Sequence, residues 1–356
     1  MRQFHICHST IEIVMHEPTR IDLKLPRSWN ACTTEELESI ARIIALRSME
    51  ADRYHPYNAH ETSIEIFFAL AKIEPVEPVN PRVPVEEQYV TCRFARPRWT
   101  HPFRLFRYYQ QGRNKPFTLY LWQIDSFIEK NLKWLESGSG LTIFPYQRMT
   151  RRQHGWKMFF RKKRFAGPNA LMDGMTWRQY RIAQDYMSFF IDQQNNLIRL
   201  MQHPSRYTKH EIKDCARKVD LARSMFLATI FNAHVRTMDE KTQKFRSVYD
   251  YQSNQHSDNA VYFRHWTDVQ WQVVLFWWSG MMAYMQKRFP HCFKATSTKK
   301  ITQTPLDLYT RTTATMQKYT TLNEEDVNHQ TVHIILQHLE DMAKENEEME
   351  KIRRKR

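Results

Sequence analysis

Glycine is the residue this chain most lacks, with 7 in 356 residues where average usage of about 7% would give roughly 25. Phosphate-cradling loops, dinucleotide turns and nucleophile elbows all need glycine, and no GxGxxG, GxxxxGK[ST] or GxSxG occurs. Nucleotide-dependent catalysis built on those motifs is therefore disfavoured, and no cofactor is expected. Cysteine is scarce as well: Cys7, Cys32, Cys92, Cys215 and Cys292 are odd in number, scattered and without a CxxC pair. That usage fits reduced thiols of a cytosolic protein better than a disulfide framework. No apolar run reaches the about 20 residues of a membrane span, and Met1 to His5 lack the apolar region of a signal peptide. The expectation is a soluble, unsecreted protein with no membrane partner.

What is present points first to architecture. Trp271 to Met285 is the most apolar stretch, and from Val273 to Met285 only Ser279 and Gly280 interrupt the apolar and aromatic side chains. A helix hydrophobic on every face is buried, so a core helix is expected at about 267–289, with Ser279 and Gly280 admitting a neighbouring helix closely. Other long helices are expected over 176–201 and 209–231, and shorter ones over 306–319 and from Val332 onward. Residues 3–15 and 20–26 alternate as strands around a turn, and Thr33 with Glu36 forms a capping box ahead of a helix through Leu37, Ile40 and Ile44. A second helix is expected over 61–73. The fold class is thus mainly α: a small N-terminal α+β element (β-hairpin plus helices), then a long-helix bundle around the buried helix.

Four segments follow from this reading. Residues 1–73 form the α+β element, and 74–88, with Pro75, Pro78, Pro81 and Pro84, form an extended strap, arm or surface connector. Residues 89–175 are a basic aromatic segment with one helix, expected over 117–135. Residues 176–356 are the helical domain. Residues 237–258, rich in Gln, Asn, Ser and Asp, read as a long exposed connection.

The net charge of +15 is concentrated. Residues 88–172 hold 17 Lys and Arg against Asp125, Glu129 and Glu136, while the remainder is nearly balanced. Between Pro145 and Phe165 stand Arg148, Arg151, Arg152, Lys157, Arg161, Lys162, Lys163 and Arg164 without one acid. Aromatics interleave with the cations, among them Phe94, Trp99, Phe103, Phe106, Tyr108, Tyr109, Trp156, Phe159, Phe160 and Phe165. Cations neutralise phosphates and rings stack on bases, so nucleic acid is one expected partner. The other reading is a positive face packed on an acidic protein.

The C-terminal helix carries Val332, Ile335, Leu339, Met342, Asn346 and Met349 at 3, 4, 3, 4, 3 spacing, a heptad seam with one polar residue. It is expected to dock on the protein's own helices or to pair with another chain. Metal is not expected. In a strand His5 and Cys7 share a face while His8 points away; His329 and His333 lie a helical turn apart but lack an evident third ligand.

Several phrases carry a resemblance. Leu25-Pro26-Arg27-Ser28-Trp29 followed by Thr33 to Leu37, Phe144-Pro145-Tyr146, Met175 to Arg181, and Tyr309 to Tyr319 resemble uncharacterised proteins encoded in bacteriophage and prophage genomes. The opening is loosely similar to tail-assembly chaperones, although the length and the helical part depart from them. The resemblance implies a non-enzymatic phage structural or assembly protein acting through protein–protein contacts with other phage proteins or with itself, in the host cytoplasm or the virion. It brings no functional residues with it. A nucleic-acid-binding protein using residues 88–172 is the alternative. An enzyme with a site assembled only in three dimensions would instead show a deep pocket with converging titratable groups.

Overall fold

The computed structural model describes residues 8–13, 21–50, 58–77, 84, 87–97, 101–111, 113–136, 140–152, 162–239, 244–251, 253–293, 314–318 and 322–355. Over them the chain is mainly helical and opens on a small α+β element. It forms two compact units, residues 1–141 with 272–280 and residues 142–271 with 281–356. The segment 89–175 contributes to both.

In the first unit β1 (His8–Ile13) and β2 (Ile21–Pro26) pair antiparallel from His8↔Pro26 to Ile13↔Ile21; the rest of the expected first strand and the turn lie outside the described residues. Helix α1 (Thr34–Glu50) starts at the expected capping box, with the Glu36 amide donating to Thr33 Oγ1 at 3.3 Å and the Thr33 amide to the Glu36 carboxylate at 2.8 Å. Leu37, Ile40 and Ala41 are buried along it. Helix α2 (Ala59–Ala71) begins two residues earlier than its apolar pattern suggests, because the Asn58 side chain accepts from the amides of His60 and Glu61.

A three-stranded sheet follows, in the order β3-β4-β5, from β3 (Ile73–Pro75), β4 (Tyr89–Phe94) and β5 (Phe117–Tyr120). The start of the proline-rich stretch is therefore a sheet edge, and residues 78–83, 85 and 86 of the strap expected over 74–88 lie outside the described residues. Pro75 sits where a missing N–H costs no ladder bond, and the Val76 amide donates to the Thr91 carbonyl at 2.7 Å. Helix α3 (Pro102–Gln110) lies between β4 and β5. The helix expected from Phe117 starts four residues later as α4 (Leu121–Asn131), since Phe117 and Leu119 alternate inward and are buried against β4. The Leu25-Pro26-Arg27-Ser28-Trp29 phrase is a packing hub. Trp29 Nε1–H donates to the Trp134 carbonyl, Trp134 Nε1–H donates to that of Pro26, and the two rings meet edge-on at 5.1 Å.

The second unit is organised on an antiparallel helix pair, α5 (Trp177–Gln202) and α6 (Lys209–Ile230). Thr176 caps the first, and a Thr208–Glu211 capping box opens the second. The helical domain expected over 176–356 is interrupted at Asn232. There β8 (Asn232–Asp239) and β9 (Lys244–Asp250) form a hairpin, followed by the short helix α7 (His256–Ala260). Of the 237–258 stretch expected as an exposed connection, residues 237–239 and 244–250 are strand and 253–258 are helical, while 240–243 and 252 lie outside the described residues.

Helix α8 (Asp268–Arg288) has a Thr267–Gln270 capping box. Val273, Val274, Trp277, Met281 and Met285 are fully buried, although Ser279 and Ala283 are exposed. What approaches Gly280 is the irregular backbone at Leu141, and no helix: a Cβ there would meet the Leu141 carbonyl oxygen and lie 2.9 Å from its backbone carbon and nitrogen. Residues 314–318 are helical (α9), the rest of the helix expected over 306–319 falling outside the described residues. Helices α10 (Glu324–His329) and α11 (Val332–Lys355) complete the unit.

Candidate nucleic-acid interface

The basic run folds into two strands. β6 (Arg148–Arg152) and β7 (Lys162–Ala166) pair antiparallel, β7 pairs β8 and β8 pairs β9, giving a four-stranded sheet in the order β6-β7-β8-β9. Because side chains alternate between faces, the register sorts the eight residues singled out in the sequence. Arg151 stands opposite Lys163 and Met149 opposite Phe165, so these four share the inner face, where Phe165 is fully buried. Arg152 opposite Lys162, Thr150 opposite Arg164, and Arg148 opposite Ala166 make the outer face. Lys157 and Arg161 lie outside the described residues.

Environment separates the two sets. The Arg151 guanidinium lies 4.8 Å from the Trp266 ring centroid, and burial pulls its pKa below the ordinary arginine value. Lys163 Nζ donates to Gln255 Oε1 at 3.1 Å and Asn259 Oδ1 at 2.8 Å; burial lowers its pKa too. Both are committed to the fold. Arg148, Arg152, Lys162 and Arg164 are solvent-exposed.

The outer face extends over β8 and β9 to residues that the sequence reading missed. His234 lies opposite Tyr249 with ring centroids 5.3 Å apart, and the exposed Arg236 stands two residues along. Their signal was the alternation of Ala233 and Val235 with His234 and Arg236, hidden by the polar composition downstream. By alternation the outer face takes residues 148, 150, 152, 162, 164, 166, 232, 234, 236, 238 and 249 among the described side chains, and none of these is acidic. Like charges placed directly opposite, as at Arg152 and Lys162, destabilise a sheet, and no described acid on this face relieves them.

The remaining aromatics divide in the same way. Tyr108 and Phe165 are buried, Phe103 and Phe106 are 86% and 68% exposed, and Trp99, Trp156, Phe159 and Phe160 fall outside the described residues or side chains. The heptad seam splits: Val332 and Ile335 are fully buried, Leu339 and Met342 half-buried, Asn346 and Met349 exposed.

His329 and His333 have separate partners. His329 Nε2 is 2.9 Å from Glu325 Oε1, and His333 Nε2 is 2.7 Å from the Leu171 carbonyl, to which it donates. His5, Cys7 and His16 lie outside the described residues. Among the described residues no three His, Cys, Asp or Glu are grouped to hold a metal ion, and no helix is long and apolar enough to cross a membrane. A cavity of about 520 Å³ is lined by Met316, Leu322, Ile334, Ile335 and Met342, with His338, Asp341 and Glu345 spaced along α11; no hydrogen bond joins those three.

No family model matches this chain, and no curated protein or solved structure does either.

Proposed function

We propose that this is a non-enzymatic protein that binds single-stranded nucleic acid on the outer face of the β6–β9 sheet. One observation carries the reading. Five exposed cations, Arg148, Arg152, Lys162, Arg164 and Arg236, share an acid-free face with the His234–Tyr249 ring pair. A sheet face suits single strands because cations track the backbone while rings stack on unpaired bases. Phosphates would also relieve the like-charge pairing across β6 and β7.

Fluorescence anisotropy with labelled single-stranded DNA and RNA, titrated against salt, tests this reading. Neutralising five phosphates on a single strand predicts a slope of log K against log salt of about −3.5. Replacing Arg152, Lys162 and Arg164 together by Ala should flatten that slope and weaken binding to both. Absence of binding at low salt overturns the proposal.

A second reading follows the resemblance: a structural or assembly protein of a bacteriophage, in the host cytoplasm or the virion, acting through contacts with other phage proteins. The observation that favours it is on α3. Phe103 and Phe106 project one turn apart into solvent beside Arg104 and Arg107, and aromatic and arginine side chains are enriched in protein interfaces. Pull-downs from infected host cells with wild-type protein and a Phe103→Ser/Phe106→Ser variant discriminate. Phage structural proteins recovered by the wild type and lost with the variant support this reading, whereas equal recovery removes α3 from it.

A further inference from the structure

Helix α11 starts inside its unit and finishes outside it. Val332 and Ile335 are fully buried and Glu340 is 2% exposed, yet every residue from Glu348 to Arg353 is exposed. Met349 and Ile352, each 56% exposed, continue the face of Met342 and Glu345 at helical spacing. The first half of the heptad seam thus closes the protein's own core, whereas Met349 at its end and the neighbouring Ile352 present two large apolar side chains to water.

The charges around that second half have a direction. Glu345, Glu347, Glu348 and Glu350 come first, and Lys351, Arg353, Arg354 and Lys355 follow. A parallel partner helix of the same sequence would set acids against acids. An antiparallel one sets the acidic turn of each copy against the basic turn of the other, with Met349 of one copy meeting Ile352 of its mate and the reverse. That arrangement is self-complementary, as a two-fold interface requires, and it places the starts of the two α11 helices at opposite ends of the pair.

We propose that residues 345–355 of α11 pair antiparallel with the same segment of a second copy of this chain. The overlap is about 16 Å long at about 1.5 Å per residue, too short for the roughly 800 Å² per partner of a standard stable interface. The association is therefore weak, concentration-dependent and weakened by salt. It stands independently of the nucleic-acid reading.

Sedimentation equilibrium of the full chain, from low to high micromolar concentration at low salt, is the test. The weight-average mass of the wild type should rise toward the dimer. Met349→Ser/Ile352→Ser should weaken dimerisation by at least about tenfold. Glu345→Lys/Glu348→Lys and Lys351→Glu/Arg353→Glu should each be monomeric alone and form a mixed dimer when combined. All these side chains are exposed, and circular dichroism confirms that each variant retains the wild-type helix content. A monomeric wild type at every concentration overturns the proposal. So do variants that associate as the wild type does, or charge-reversed partners that fail to combine. If Lys351→Glu/Arg353→Glu instead leaves the mass curve unchanged and reduces binding to a DNA or RNA oligomer, the segment is a nucleic-acid contact and the dimer is refuted.

Discussion

Glu340 holds His291 at a distance of 2.5 Å between Oε1 and Nδ1, from a side chain that is only 2% exposed. Its other oxygen accepts from the backbone amides of His291 at 2.9 Å and Cys292 at 3.1 Å, so one carboxylate fastens the turn after α8 to α11. His291 Nε2 faces Glu347 at 3.3 Å.

This carboxylate predicts an acid-side loss of stability. Burial alone would raise the pKa of Glu340, but the His291 hydrogen bond and the two amides outweigh it and hold it below the usual carboxylate value. A depressed folded pKa contributes stability above the unfolded value of about 4.3 that is lost as pH falls through the folded pKa. Thermal unfolding of wild type and Glu340→Gln between neutral pH and pH 3 should show the wild type more stable near neutrality and the gap closing in acid. A gap of constant size would mean that the charge is not its source.

Gly280→Ala should be strongly destabilising. The new Cβ would meet backbone of Leu141, which cannot rotate away as a side chain tip can. Overpacking of this kind costs about 1 to 3 kcal/mol and occasionally more, and a helical site would otherwise gain from alanine. A denaturant midpoint equal to or above wild type would contradict the close approach.

Trp277→Ala is expected to cost about 3 to 5 kcal/mol, because the indole is fully buried at the middle of α8. Chemical denaturation reads this directly. Binding to nucleic acid should be unchanged wherever the variant is folded, and selective loss of binding with stability intact would mean that the helix has another role.

Inner and outer cations should behave oppositely. Arg151→Ala removes the guanidinium from Trp266 and should lower the melting temperature with little effect on the salt slope. Arg152→Ala should leave melting unchanged or raise it, by relieving the repulsion with Lys162, and should reduce the slope by about 0.7. Paired melting curves and salt titrations on the two variants separate them. Equal effects on both readouts would refute the assignment of faces.

Much of this was legible locally. Thr33–Glu36 capped α1 where its spacing predicted, and the boundaries of α5, α6 and α8 fall within one or two residues of those read from apolar period and caps. The β1–β2 hairpin was legible too, from the alternation of residues 3–15 and 20–26, whereas the later strands were not. Phe117 to Tyr120 reads as the first turn of a helix until β4 supplies a partner, and the 237–258 stretch reads as a polar connection until β8 and β9 are seen to pair. A strand's hydrogen bonds go to residues distant in sequence, so its local pattern specifies it weakly.

For the candidate interface, charge is written in the chain as a basic run without an acid. The sequence also determined that Trp271 to Met285 is a core helix, because helical hydrogen bonds close within four residues and apolar side chains on most faces must leave water. Which cations remain exposed follows from strand pairing. The β6–β7 register turns Arg151 and Lys163 inward and Arg148, Arg152, Lys162 and Arg164 outward, and the pairing with β8 and β9 adds Arg236, His234 and Tyr249 from beyond helices α5 and α6. A sheet with a two-residue period exchanges its faces on a shift of one residue, and that register is set by packing of Phe165 and its neighbours rather than by the charges themselves.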